Sequence, residues 1–218
     1  MKKVRYYYVR HGETLFNRLN KMQGWCDSPL TEKGLQNGID AGKALRKVDF
    51  RKVYSSPAVR CRDTVELVLD GRNLPVEYKK DLREMYFGDY EGLNVDDHLE
   101  EIEYRRRVTF DYRDVGGEND EMFMKRIMRA LDEIYDESAD GDNVLIISHG
   151  VYFLQLLRSL FDFDYNDFAN KAMADGNGSH PIPNGYVGYF ERDEKGYRLC
   201  YLHGHSEGFL ATVKKKEK

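Results

Sequence analysis

Two apolar runs stand out from an otherwise polar chain. Val4-Arg5-Tyr6-Tyr7-Tyr8-Val9 and Asn143-Val144-Leu145-Ile146-Ile147 are rich in β-branched and aromatic residues, the composition of strands buried in a sheet. Each stops abruptly, at Arg10-His11-Gly12 and at Ser148-His149-Gly150, where a glycine permits a tight turn and close backbone approach. Between the runs, Thr31 is placed to cap a helix reaching about Lys47, with Glu32 in its first turn. Gly34, Gly38 and Gly42 recur along it at fourfold spacing, which suits close packing and flexibility equally. Arg51–Ser56 reads as a short strand. Pro57 then opens a helix over Ala58–Leu69 that Gly71 closes.

Val76–Tyr78 is a weaker strand, and Val95–Phe110 is helix-like with a narrow apolar face at Leu99 and Ile102. Asn119 caps an amphipathic helix spanning Asp120–Glu137, and another helix follows His149, from Val151 to about Phe161. Tyr186–Glu191 and Tyr197–Leu202 form a hairpin around Asp193-Glu194-Lys195-Gly196. Gly12–Leu30 reads as a loop or short helix, Asp162–Pro183 as partly looped, and Lys214–Lys218 as a frayed tail.

Strands alternating with helices predict a three-layer α/β sandwich with a mostly parallel central sheet flanked by helices. Residues 1–218 form a single domain in this reading, with 93–118 as a small cap over the carboxyl edge of the sheet. No internal repeat or long linker interrupts it.

Composition narrows the function. The 218 residues are 41% hydrophobic, enough for one substantial core. Thirty-four Lys and Arg against 38 Asp and Glu leave a net charge of −4, so no general basic footprint for nucleic acid exists. Any anion site must be built locally from chosen arginines. Cys26, Cys61 and Cys200 lack metal-ligand spacing, which fits a reducing compartment. With no signal-like or membrane-length apolar run, a soluble cytoplasmic protein is expected. Monomer and homodimer are equally compatible with the sequence.

Ligands of open α/β sheets bind beyond the carboxyl ends of the strands. The predicted elements deliver Arg10, His11 and His149 to that edge, and Arg60 joins them from the first turn of the helix that follows the Arg51–Ser56 strand. Two guanidiniums beside two imidazoles suit a dianionic phosphoryl group better than a metal cation, because arginine offers planar, bidentate, permanently charged donors. Helix N-termini after Pro57 and at Gly150 add anion-favouring amides. Without a Gly-x-x-x-x-Gly-Lys loop or a carboxylate cluster for magnesium, neither nucleotide nor metal cofactor is expected.

Arg10-His11-Gly12-Glu13-Thr14 with Asn17, Gln23-Gly24, Pro29-Leu30-Thr31, Gly34, and Ser55-Ser56-Pro57 with Arg60 closely resemble the histidine phosphatase superfamily, the phosphoglycerate-mutase-like family. So do Leu82–Gly92, which carries Glu84, and then Gly116-Gly117-Glu118 and Ser148-His149-Gly150. Asn119 stands where that family usually has Ser, and either residue caps a helix.

The resemblance implies that His11 attacks phosphorus as a neutral imidazole, forming a phosphohistidine, with its other ring nitrogen held by a backbone carbonyl. It implies that Glu84 is the acid/base of both half-reactions. Arg10, Arg60 and His149 would hold the phosphoryl oxygens, with Asn17, Gln23, the backbone amide of Gly24 and Gly150 completing the substrate site.

Glu13 and Glu91 compete with Glu84 on position alone, though Glu13 fits an ordinary loop residue better. Cys61 fits an inert buried thiol, His203-Gly204-His205 a solvated strand end, and Arg105-Arg106-Arg107 a solvated helix face. Trp25, Tyr86 and Tyr152 could line a leaving-group pocket or merely pack the loop bases. The leading expectation is a metal-independent phosphomonoesterase acting on a small phosphorylated metabolite and releasing phosphate. A phosphoglycerate mutase using the same residues is the alternative, and an idle phosphate-binding protein the third reading.

Overall fold

The computed structural model describes residues 1–162, 182–202 and 214–215. Strands β1 (Val4–Arg10), β2 (Lys52–Ser55), β3 (Val76–Tyr78), β4 (Asn143–Ser148), β6 (Val187–Asp193) and β7 (Gly196–Leu202) make one six-stranded sheet in the order β3-β2-β4-β1-β6-β7. The β3/β2, β2/β4 and β4/β1 pairs are parallel, whereas β6 adds antiparallel to β1 and β7 to β6. The sheet is thus mixed and mostly parallel.

The pleat decides the layering, because successive strand side chains point to opposite faces. Tyr6 and Tyr8 of β1, Tyr54 of β2, and Val144 and Ile146 of β4 share one cluster with α5 (Asp120–Glu137) and α6 (Gly150–Leu160). Val9, Val53, Leu145 and Ile147 point the other way, to α2 (Glu32–Leu45) and α3 (Val59–Leu69). Three layers result, with β1 and β4 buried on both faces.

The glycine stripe of α2 packs closely. A methyl at Gly38 would meet the Leu67 side chain at 2.8 Å, and one at Gly42 the Val68 carbonyl at 2.9 Å. Gly34 lies against the loop after His11, where a methyl would come within 2.0 Å of the Glu13 carbonyl. Thr31 accepts from the Gly34 amide and Asn119 from that of Met122, so both expected caps form.

Several expectations need correction. The stretch Val95–Phe110 is not one helix: a 3-10 turn leads into α4 (Leu99–Tyr104), and Arg105–Thr109 is π-helical. Phe110, in the left-handed region at φ 47°, donates to the Arg105 carbonyl at 2.7 Å and closes that wider turn. The left-handed turn that ends α3 takes in two residues, Asp70 at φ 46° as its cap and then Gly71 at φ 79°. Within Gly12–Leu30 a single short helix, α1 (Leu15–Arg18), forms under a capping box of Thr14 and Asn17.

Lys214–Lys215 (β8) is not frayed: it pairs antiparallel with β5 (Phe161–Asp162), whose extended backbone offers it an edge. His203, His205 and most of Asp162–Pro183 lie outside the described residues. Residues 93–118 form short helices beside the loop at Asn20–Met22, joined by the Lys21–Asn94 bridge and by Val95 donating to Asn20. Among the described residues no helix is long and apolar enough to cross a membrane.

Candidate active site

The carboxyl ends of three neighbouring strands build the site. Arg10 is opposite Ser148 in the β1/β4 register, and Ser55 is opposite Ile147. The ladder continues one step further, with the His11 amide donating to Ser148 and the Ser56 amide to Ile147, both at 3.0 Å. His11, Ser56 and His149 therefore leave the sheet side by side, and the two imidazole centroids are 5.3 Å apart.

Each imidazole has its tautomer set by a neighbour. The Nδ1–H of His11 donates to the Gly12 carbonyl at 2.8 Å, which places the lone pair of the neutral ring on Nε2. Gly12 itself is pinned by its amide donating to Thr64 of α3. His149 is fully buried, its main chain exchanging hydrogen bonds with the Tyr8 hydroxyl. Arg60 can only donate, so Nδ1 of His149 accepts at 3.0 Å and Nε2–H donates to the Ser56 hydroxyl at 2.8 Å. Burial first, and then the Arg60 charge, hold the His149 pKa well below its ordinary range. The ring is neutral.

Two buried guanidiniums supply the positive field. Arg60 directs one terminal nitrogen to the Cys26 carbonyl and Asp27, and the other to the Gly24 carbonyl and His149. Among the described residues, only its buried Nε–H lacks a partner. Arg10 donates a terminal N–H to the Ile182 carbonyl, and its Nε–H is likewise unpartnered. Burial draws the Arg10 pKa down to about 10, so it remains cationic at neutral pH. Buried, unpaired guanidinium N–H groups are costly unless an anion meets them.

Glu84 lies where α6 begins. One carboxylate oxygen accepts from the amides of Met85 and Tyr152 and the other from Val151, at 2.8–3.0 Å. Burial raises its pKa above the ordinary value, opposed by those amides and by Arg60 and Arg10. The net direction is upward.

The fold brings Arg10, His11, Arg60, Glu84, His149 and Gly150 together. Asn17 joins them with its side-chain oxygen accepting from the Thr14 amide and from Asn184, which leaves its NH₂ group free of those bonds. Gln23 and Gly24 differ from expectation. Both ends of the Gln23 amide are used inside the loop, by Thr14 and Ser28. The Gly24 amide goes to Glu91, so this residue meets the site through its carbonyl on Arg60.

The competing residues fall elsewhere. Glu91 clamps the loop by accepting from Gly24, Trp25, Cys26 and Phe87 amides. Glu13 faces Thr31 and Lys33. Cys61 is buried and its thiol is pushed up to about 12 by burial, so it stays protonated. Tyr152 is core, whereas Trp25 stacks on Tyr86 and donates its indole N–H to the Glu84 carbonyl.

Other contributors were not foreseen. Asp27 caps α3 at the Val59 amide while pairing Arg60. Asn184 bridges the His11 carbonyl and Asn17, and the Gly185 amide donates to the Arg10 and His11 carbonyls. The Pro183-Asn184-Gly185 sequence is a turn signal, but nothing in it names His11 as its partner.

A mixed α/β sandwich with two histidines and two arginines at one carboxyl edge has the architecture of the phosphoglycerate-mutase-like proteins. The chain belongs to the histidine phosphatase superfamily (branch 1), whose family model matches residues 6–182. It is 36% identical to the adenosylcobalamin/alpha-ribazole phosphatase of Salmonella typhimurium over 163 residues, covering 72% of this chain and 80% of that one. It is 34% identical to a probable phosphoglycerate mutase, GpmB, of Salmonella paratyphi A over 149 residues, 66% of this chain and 69% of that one. The crystal structure of a phosphoglycerate mutase from Bacillus anthracis superposes with a TM-score of 0.76 at 27% identity, covering 96% of each chain.

Proposed function

We propose that this protein is a phosphomonoesterase that hydrolyses a small phosphorylated metabolite through a phosphohistidine, without a metal cofactor. In the first half-reaction the Nε2 lone pair of His11 forms the N–P bond as the ester P–O bond breaks, and Glu84 gives its proton to the departing oxygen. In the second, the Glu84 carboxylate takes a proton from water, whose oxygen attacks phosphorus as the N–P bond breaks and phosphate leaves. Arg10, Arg60 and neutral His149 hold the phosphoryl oxygens, with Asn17 and the amide end of α6 at Gly150 as further donors. Bonds and protons balance over the cycle.

Names of relatives include both phosphatases and mutases, so the choice rests on one observation. A mutase must also hold the carboxylate of a sugar acid, which calls for spare cations near the site. In the 93–118 segment each arginine is matched by acids of the same segment: Arg105 by Glu101 and Asp114, Arg106 and Arg107 by Glu103, and Arg113 by Asp111. With these charges neutralised locally, hydrolysis is the better-supported outcome. In a coupled assay containing 3-phosphoglycerate and catalytic 2,3-bisphosphoglycerate, free phosphate should accumulate and 2-phosphoglycerate should not. Isomerisation outpacing phosphate release would reverse the assignment.

A further inference from the structure

Glu84 sits in a stretch, Arg83–Phe87, that belongs to no helix or strand. Amides of Met85, Val151 and Tyr152 hold the carboxylate itself, but no backbone ladder fixes the main chain that carries it, and proton transfer tolerates little misplacement. The structure supplies a substitute from α5. Arg126 is buried, and all five of its N–H groups are used. Nε and one terminal nitrogen form a bidentate pair with Glu118 at 2.8 and 2.7 Å. The remaining donors go to the carbonyls of Asp81 at 3.1 Å, Arg83 at 2.5 Å and Glu84 at 2.6 Å. Glu118 also accepts from the Tyr86 amide at 2.8 Å, so the ion pair grips the chain on both sides of Glu84. From the loop clamped by Glu91, the Trp25 indole N–H donates to the same Glu84 carbonyl at 2.9 Å.

We propose that Arg126, held by Glu118 and assisted by the Trp25 indole, is the positioning residue for the acid/base carboxylate. The inference rests on the reading of Glu84 as proton donor to the leaving group. A buried ion pair is a weak contributor to stability compared with a well-packed apolar pair, because both charges are desolvated. This one spends three guanidinium N–H groups on the carbonyls of Asp81, Arg83 and Glu84, the short stretch that leads into the carboxylate, which a purely cohesive pair does not require. Its Lys equivalent has three donors on one nitrogen and cannot reproduce the fork together with the carbonyl bonds.

The test compares Glu84→Gln, Arg126→Lys and Trp25→Phe on an alkyl phosphate, whose leaving group needs protonation, and on p-nitrophenyl phosphate, whose leaving group does not. Arg126→Lys should lower kcat/KM, which reads formation of the phosphohistidine alone, on the alkyl ester by ~10²-fold, the scale of a displaced catalytic group, and on the nitrophenyl ester by less than about 5-fold. Trp25→Phe should show the same asymmetry at about 3- to 10-fold, as for loss of one hydrogen bond. Inhibition by vanadate, which reads the phosphoryl pocket alone, should be unchanged in both. Equal losses on the two esters, weakened vanadate binding, or an Arg126→Lys protein that fails to fold would each assign Arg126 to structure and overturn the proposal. If Glu84→Gln itself shows no leaving-group asymmetry, the acid reading of Glu84 fails first and takes this inference with it.

Discussion

The Arg60 guanidinium donates to Nδ1 of His149 at 3.0 Å. Because Arg60 also holds Asp27 and the Gly24 and Cys26 carbonyls, it serves as scaffold for the site and leaves only Nε–H for an anion. Arg60→Lys should therefore fail in both tasks, lowering kcat/KM by at least ~10²-fold, the loss expected for a transition-state donor. Asp27→Asn keeps the shape but weakens the hold on Arg60, and a smaller loss should follow. Steady-state kinetics of the two variants check the ranking, and a larger effect from Asp27→Asn would contradict it.

His149 carries a consequence for stability. Its folded pKa lies well below the ordinary 6.5 because burial and Arg60 oppose the charged ring. Below pH 6.5 the unfolded chain takes up a proton that the fold refuses, so stability declines as pH falls from 6.5 toward the folded value. The decline is about 1.4 kcal/mol per pH unit, and above 6.5 this term vanishes. Denaturant melts at pH 7.5 and 5.5 should show a smaller drop for His149→Gln than for the parent protein. Identical pH dependence would refute a neutral buried ring.

The nucleophile is tested by removal and by capture. His11→Ala should lower turnover by at least ~10⁴-fold, since it eliminates the covalent route. Labelled phosphate, quenched during turnover, should be found on His11 as an acid-labile, base-stable adduct. Label on Ser56 or Cys61 would end the scheme. Because Arg10, Arg60 and His149 supply the field, EDTA should leave the rate intact.

For Glu84 the pH–rate profile is diagnostic. Its pKa is raised by burial, so the protonated form needed for poor leaving groups persists above the usual carboxylate range and is lost as pH rises through the folded value. Turnover of an alkyl phosphate should show that descending limb, and Glu84→Gln should abolish it. A limb that survives the substitution belongs to another group.

Asn184 joins the His11 carbonyl to Asn17. Asn184→Ala should cost about 1 kcal/mol in stability, the net value of such a hydrogen bond, and should raise KM more than it lowers kcat if Asn17 orients substrate. Thermal melts and kinetics on one phosphomonoester suffice. An unchanged KM would show that Asn17 holds its place alone.

What could be read in the residues was set by local chemistry. Val4–Val9 and Asn143–Ile147 announce buried strands because side-chain composition answers to burial, and the His-Gly breaks mark where those strands stop. Thr31 and Asn119 cap helices through neighbours three residues on, so sequence alone places them. The support around the site was illegible because it is made across long separations. Asp27 reaches Arg60, Asn184 reaches His11, and Arg126 reaches Glu84, each between segments whose proximity exists only after the sheet forms. Gly24 shows the same limit in reverse: its amide looked available until Glu91, 67 residues further on, took it.

The β4-β1-β6 neighbourhood also orders events during synthesis. His11 leaves the ribosome early, yet the groups that give it reactivity arrive in sequence: Arg60, then Glu84, then His149 on the end of β4, and last the Ile182–Tyr186 turn that receives Arg10. A nascent chain therefore exposes an ordinary histidine for most of its translation. Until the last strands dock beside β1, Arg10 lacks the Ile182 carbonyl and the Gly185 and Tyr186 main-chain partners that hold it next to His11.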